Sequence, residues 1–140
     1  MSVTFLQRSI WQRLFGICAT RKPSNDNGWH YESGQLVVNL SEIPELTQPG
    51  TAVRFEGNKL PVRVLVVLGA DQQYRVFHNR CTHFGHRRLD YVPETETVQC
   101  CSVNKSTYTF DGEKIYGPTP KPVKTYPVAQ VKGQLQVQIS

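Results

Sequence analysis

The residue types able to do metal chemistry are concentrated in two short stretches, Cys81-Thr82-His83 and, seventeen residues further on, Cys101-Ser102-Val103-Asn104. Thiolate and imidazole donors select iron, copper or zinc over magnesium or calcium. Two such loops separated by a span of this size suit a metal centre gripped from both sides. Paired Cys-x-x-Cys spacing, the usual mark of a zinc ribbon, is absent, so a mononuclear zinc site on Cys81, His83, Cys101 and one neighbour is a minor alternative. His30 and His78 stand outside both stretches and read as ordinary surface or packed imidazoles.

The residues around these stretches fall into a regular frame. Counting from Cys101, a serine stands five residues on (Ser106) and an aromatic seven on (Tyr108). Asp111-Gly112, Gly117-Pro118 and a proline-containing run from Lys121 to Val128 follow. Upstream, Phe77 to Asp90 carries the Cys-x-His loop and its approach strand. This pattern resembles the Rieske family, strongly over about residues 77 to 128 and more loosely from about Gly34 to Ile139.

The resemblance implies a [2Fe-2S] cluster with Cys81 and Cys101 on the inner iron and His83 on the outer one. Where the family has a second-loop histidine, this chain has Asn104, and an amide is a poor ligand for iron beside sulfide. His86 stands where quinol-oxidising relatives carry a loop-bridging cysteine, and it is a candidate fourth ligand. A third thiolate from Cys100, or a fold that has lost its cluster, are the other readings. Strand-like alternation over residues 97–101 puts Cys100 on the face of Val98 and Cys101 on the opposite one. That pattern makes Cys100 a buried packing residue and turns Cys101 to the site. Ser106 and Tyr108 occupy positions where relatives place hydroxyls that hydrogen-bond to bridging or ligand sulfur, and such donors raise a cluster's potential. Each also reads as an ordinary turn serine or core aromatic.

The elements that must position these loops are strands. The 140 residues, 39 % of them hydrophobic with ten glycines and nine prolines, describe one loop-rich β domain. Expected strands lie at 35–40, 52–55, 62–68, 74–77, 97–101, 107–110, 123–126 and 135–139, with turns at Pro49-Gly50, Gly69-Ala70-Asp71 and Lys132-Gly133. The run from Val62 to Leu68 is almost continuously apolar and so central. Many short strands between turn residues imply an all-β fold of antiparallel sheets, a sandwich or partial barrel. The resemblance adds a small cluster-binding subdomain at about residues 79–112.

Ahead of this body, residues 1–20 read as an amphipathic helix and 21–28 as a polar linker, leaving 29–140 as the domain. Over residues 3–18, Leu6, Ile10, Trp11, Leu14, Phe15, Ile17 and Cys18 fall on one face, and Arg8, Ser9, Gln12 and Arg13 on the other. Such a helix suits a membrane interface, docking on the protein's own body or a partner, or an organellar presequence.

Net charge is +5, and the excess is local. Arg8, Arg13, Arg21 and Lys22 precede the first acid, Asp26, and suit an anionic membrane surface. Arg80, Arg87, Arg88 and Lys105 flank the two loops and suit a redox partner with an acidic docking face. Aromatic interleaving of the kind that stacks nucleotides is missing, which argues against nucleic acid. Four cysteines, two of them adjacent, do not make a secreted disulfide framework, and no eighteen-residue apolar span occurs. The expectation is a cytoplasmic protein, peripheral to a membrane if attached at all, acting as a one-electron carrier. With no room for a mononuclear-iron domain, it is not an enzyme by itself. The reading from a different class is a cluster-free structural or interaction module.

Overall fold

The computed structural model describes residues 3–57, 60–82, 87–118 and 121–140. Among these residues, twelve strands form three four-stranded sheets, each antiparallel throughout. The first sheet joins β1 (Trp29–Glu32), β2 (Gln35–Asn39), β12 (Gln134–Gln138) and β11 (Val128–Val131), in that order. The second runs β10 (Thr125–Tyr126), β5 (Tyr74–His78), β4 (Val64–Leu68), β3 (Thr51–Phe55). The third runs β6 (Leu89–Val92), β7 (Thr97–Cys100), β8 (Thr107–Thr109), β9 (Lys114–Tyr116).

The second sheet lies between the other two, and the sequence of β4 records this. All five of its residues are buried. Val64 and Val66 face a core shared with Leu36, Val38, Leu135 and Val137 of the first sheet. Leu65 and Val67 face the opposite core, with Leu89, Val98, Cys100 and Tyr108 of the third. Side chains alternate across a strand, so a strand covered on both faces must be apolar at every position. β5 splits in the same way, Val76 to one core and Phe77 to the other, and then delivers the first candidate loop. Two-residue turns of positive φ close β1–β2 (Ser33, Gly34) and β11–β12 (Lys132, Gly133), as right-twisted hairpins require.

Four strands were not expected from the sequence, namely β1, β6, β9 and β11. β6 shows why. Leu89-Asp90-Tyr91-Val92 carries a charged residue mid-strand, yet Asp90 is 1 % exposed. Its carboxylate accepts hydrogen bonds from the Ala19 and Thr20 backbone and the Thr20 hydroxyl, each at 2.8 Å. A charge can sit in that strand because a segment some seventy residues earlier in the chain covers it.

That segment departs from expectation. Only Ile10–Leu14 (α1) is helical, opened by a capping box between Ser9 and Gln12. The rest of residues 3–20 is irregular chain with a turn at Phe15 and Gly16, and it covers the outer face of the third sheet. That face is polar: Asp90, Gln99 and Thr107 are register partners and all are buried. Gln99 accepts from the Leu6 backbone at 3.3 Å and donates to the Thr4 carbonyl and the Thr107 hydroxyl. Arg13, expected on the solvent face, is only 4 % exposed. Its guanidinium donates to the carbonyls of Leu6, Cys100 and Ser102 and to the Gln99 side chain, at 2.9 to 3.4 Å. A polar sheet face draws the polar side of the segment inward, and the apolar side is left outside.

Arg13→Ala removes the donor for four largely buried acceptors. It should destabilise the fold by about 2–4 kcal/mol, read from the urea midpoint, and should open residues 3–20 to protease.

Candidate metal centre

Both loops are closed at their necks by backbone hydrogen bonds, and the necks are tied to each other. In the first, the Cys81 amide donates to the Arg87 carbonyl at 2.7 Å. Fully buried Asn79 adds a second clasp, its side-chain oxygen accepting from the Leu89 amide at 2.7 Å. In the second, the Cys100 amide donates to the Ser106 carbonyl at 2.7 Å. The Cys101 amide then donates to the Arg88 carbonyl at 3.0 Å, joining the two loops. Glu56 holds this junction through Arg88, at 2.7 and 2.8 Å, and through Arg54.

Four residues of the first loop, 83–86, lie outside the described residues, and they include the expected ligands His83 and His86. The thiols can be placed. Cys81 is 1 % exposed and Cys100 fully buried, and both belong to the core cluster that also holds Tyr108. The Tyr108 hydroxyl lies 3.5 Å from the Cys81 sulfur and also meets the Thr82 hydroxyl, at 3.0 Å, and amide. The Cys100 sulfur has the Ser102 hydroxyl at 3.1 Å. Cys101 points away: its thiol donates to the Gly16 carbonyl at 3.2 Å, under the N-terminal segment.

The alternation expected over residues 97–101 is present: Cys100 is buried on the face of Val98 and Tyr108, the face on which Cys81 also lies, while Cys101 points the other way.

Asn104 is engaged in its own loop. Its amide nitrogen donates to the Ser102 hydroxyl at 2.7 Å, and its oxygen accepts from the Ser106 amide at 2.8 Å, bracing a turn in which Lys105 has φ +54°. Ser106 is fully buried, and its hydroxyl has no hydrogen-bond partner among the described residues. Gly117, at φ +104°, packs against it, and a Cβ there would come within 2.6 Å of the Ser106 Cα and hydroxyl oxygen. Only glycine allows that approach.

Burial raises the Cys101 thiol to about 11 and Tyr108 to about 12, and burial likewise raises Cys18. The neighbouring Cys81 thiol and, after it, burial raise Cys100. Taking up a metal here must therefore release protons. Among the described residues no group of three or more His, Cys, Asp or Glu converges as a metal site. Two cysteines of one core cluster, a phenol hydroxyl against the first, and a buried second-loop hydroxyl without a partner among the described residues are donors of the kind an iron–sulfur cluster uses.

A cleft of about 250 Å³ opens onto Cys81 and Thr82, bordered by His78, Arg80, Lys121 and Lys124. Burial and the neighbouring cations Arg80, Lys124 and Arg63 lower His78, which keeps it neutral near pH 7. His30 sits on the surface, 3.3 Å from Glu32. Asn79, Gln99, Asp90 and Arg13 organise the site and carried no signal in the sequence, because each depends on a partner distant along the chain.

A family model described as the Rieske [2Fe-2S] domain matches residues 34–127. Among curated proteins none matches the chain. Among solved structures, the ferredoxin of carbazole 1,9a-dioxygenase from Nocardioides aromaticivorans is similar at 20 % identity and a TM-score of 0.59, over 74 % of this chain and 95 % of that one. A plasma-membrane Rieske protein of Synechocystis PCC 6803 is similar at 20 % identity and a TM-score of 0.50, over 60 % and 84 %. A quaternary ammonium Rieske monooxygenase is similar at 18 % identity and a TM-score of 0.54; the alignment takes in 69 % of this chain but only 31 % of that longer one. At these identities the likenesses establish the fold.

The Arg88 and Arg54 guanidiniums hold the Glu56 carboxyl at about 2, below its ordinary 4.5. A depressed carboxyl contributes stability that is present above about pH 4.5 and is lost as pH falls towards 2. Thermal melts across that window should show the loss, and Glu56→Gln should lower stability at neutral pH and flatten the profile.

Proposed function

The chain belongs to the Rieske [2Fe-2S] domain family, and on that footing we propose that it is a one-electron carrier that binds a [2Fe-2S] cluster and serves a redox partner protein. The observation that carries this reading is that the buried Cys81 and Cys100 share one core cluster, with the Tyr108 hydroxyl against the first sulfur. When bound, such a cluster takes up and releases a single electron.

The thiolates of Cys81 and Cys100 hold the inner iron. The resemblance assigned that second place to Cys101, but its thiol is turned to Gly16. The outer iron falls to the imidazoles of His83 and His86, both in the first loop, since Asn104 is committed to bracing the second. The Tyr108 hydroxyl lies against ligand sulfur, and the orphaned Ser106 hydroxyl is available to cluster sulfide. Donors of this kind stabilise the reduced, more negative state. Arg80, Lys121 and Lys124, all exposed around the cleft at Cys81, provide a basic mouth for an acidic docking face. The ferredoxin of a dioxygenase among the structural neighbours supports a partner of that electron-accepting kind. Residues 3–18 hold the carrier peripherally at a membrane or a complex.

Cys81→Ser and Cys100→Ser should each lose bound iron and labile sulfide, whereas Cys101→Ser should retain them. Iron in Cys100→Ser at the wild-type level, with none in Cys101→Ser, would return the second ligand to Cys101. His86→Ala should lose iron, and wild-type iron content there removes His86 from the ligand set. Tyr108→Phe removes the hydroxyl at the Cys81 sulfur, a contact of about 1 kcal/mol, and should lower the reduction potential by roughly 40 mV in a titration followed by EPR.

A further inference from the structure

The apolar side chains of the N-terminal segment lie on the outside of the protein. Ile10 is 67 % exposed, Trp11 65 %, Leu14 52 %, Phe15 62 % and Ile17 51 %. Trp11 and Phe15 stack with their rings 6.4 Å apart. The backbone beneath them is fastened at both ends, by buried Arg13 among four acceptors and by Ala19 and Thr20 on Asp90. Polar contacts thus hold a ridge of five apolar side chains in water, where an exposed patch of this kind marks an interaction site.

Charge beside the ridge selects what covers it. An open cleft of about 580 Å³ adjoins it, lined by Leu6, Arg8, Ile10, Arg13, Val103 and Lys105. The Arg8 guanidinium is anchored through a hydrogen bond to the Ile17 carbonyl at 2.8 Å, and its buried Nε has no hydrogen-bond partner among the described residues. On the other side Arg87 reaches the Phe15 carbonyl at 3.0 Å, and exposed Arg21 and Lys22 follow. No Asp or Glu precedes Asp26. Trp, Phe, Leu and Ile flanked by cations, without an acid among them, match the two faces of an anionic bilayer surface, acyl chain and phosphate. A hydrophobic protein pocket accounts for the ridge but not for the cations beside it. Among the described residues no helix is long and apolar enough to cross a membrane, so the segment would lie on the surface.

We propose that this segment docks the folded protein on an anionic lipid surface, with Ile10, Trp11, Leu14, Phe15 and Ile17 among the acyl chains and Arg8, Arg87 and Lys105 at the headgroup phosphates. This deepens the peripheral attachment proposed above and is independent of the cluster. Fastened in this way, the segment carries the whole domain to the bilayer.

The test is co-flotation of the full chain with vesicles of phosphatidylcholine, with and without about one-third phosphatidylserine. Binding should be at least about tenfold stronger to the anionic vesicles, weaken as sodium chloride is raised, and fall at least about tenfold in Trp11→Ala/Phe15→Ala. Equal affinity for both vesicles, no binding to either, or undiminished binding of the double variant overturns the proposal. Should that variant fail to fold, wild-type fluorescence decides. Trp29 is only 5 % exposed, so quenching by brominated acyl chains reports Trp11, and its absence is contrary evidence of the same weight. A dimer in sedimentation that the double variant abolishes, without vesicle binding, would assign the ridge to a second copy instead. Flotation by protein devoid of iron leaves this proposal standing and bears only on the electron-carrier reading.

Discussion

The site depends on a few backbone hydrogen bonds that tie two loop necks to one another. Cys81 to Arg87 closes one loop, Cys100 to Ser106 closes the other, and Cys101 to Arg88 joins them. These bonds are made by main-chain groups, so they survive almost any choice of side chain at the loop tips. They fix Cys81 and Cys100 at the loop necks whatever stands at the tips. At the tip of the second loop stands Asn104, where the sequence resemblance leads one to expect a histidine. The amide instead makes the two local bonds that keep the second loop in its turn.

A second constraint acts from outside. The third sheet is apolar only on the face that holds Cys100 and Tyr108, while its other face presents Asp90, Gln99 and Thr107. Burying those groups without partners would cost more than the sheet could recover. The N-terminal segment supplies the partners with its own backbone and with Arg13. One consequence is a firmly backed second loop, since Arg13 holds the Cys100 and Ser102 carbonyls. The other is an apolar ridge turned outward. Covering the site from behind and presenting a greasy surface are two results of one packing arrangement.

The sheet architecture was legible in the sequence where a strand's burial follows from its own pattern. β4 reads as central because each of its residues is apolar, and the turn at Lys132-Gly133 reads as a hairpin from its residue types. The serine and aromatic at their offsets led to Ser106 and Tyr108. What could not be read depends on distant partners. The strand around Asp90 looks like a loop until residues 19 and 20 are laid over it, and Arg13 looks like a solvent residue until its acceptors are assembled. Alternation separated Cys100 from Cys101, but a period of two carries no sign and leaves open which face a ligand would use.

The measurement that bears most directly on the central claim is iron and acid-labile sulfide per chain in freshly purified, anaerobically handled wild-type protein, with EPR after reduction. Two irons and two sulfides, with a paramagnetic signal on one-electron reduction, are the predicted result. Colourless protein with neither would leave the paired thiols as packing in a Rieske fold without its cluster.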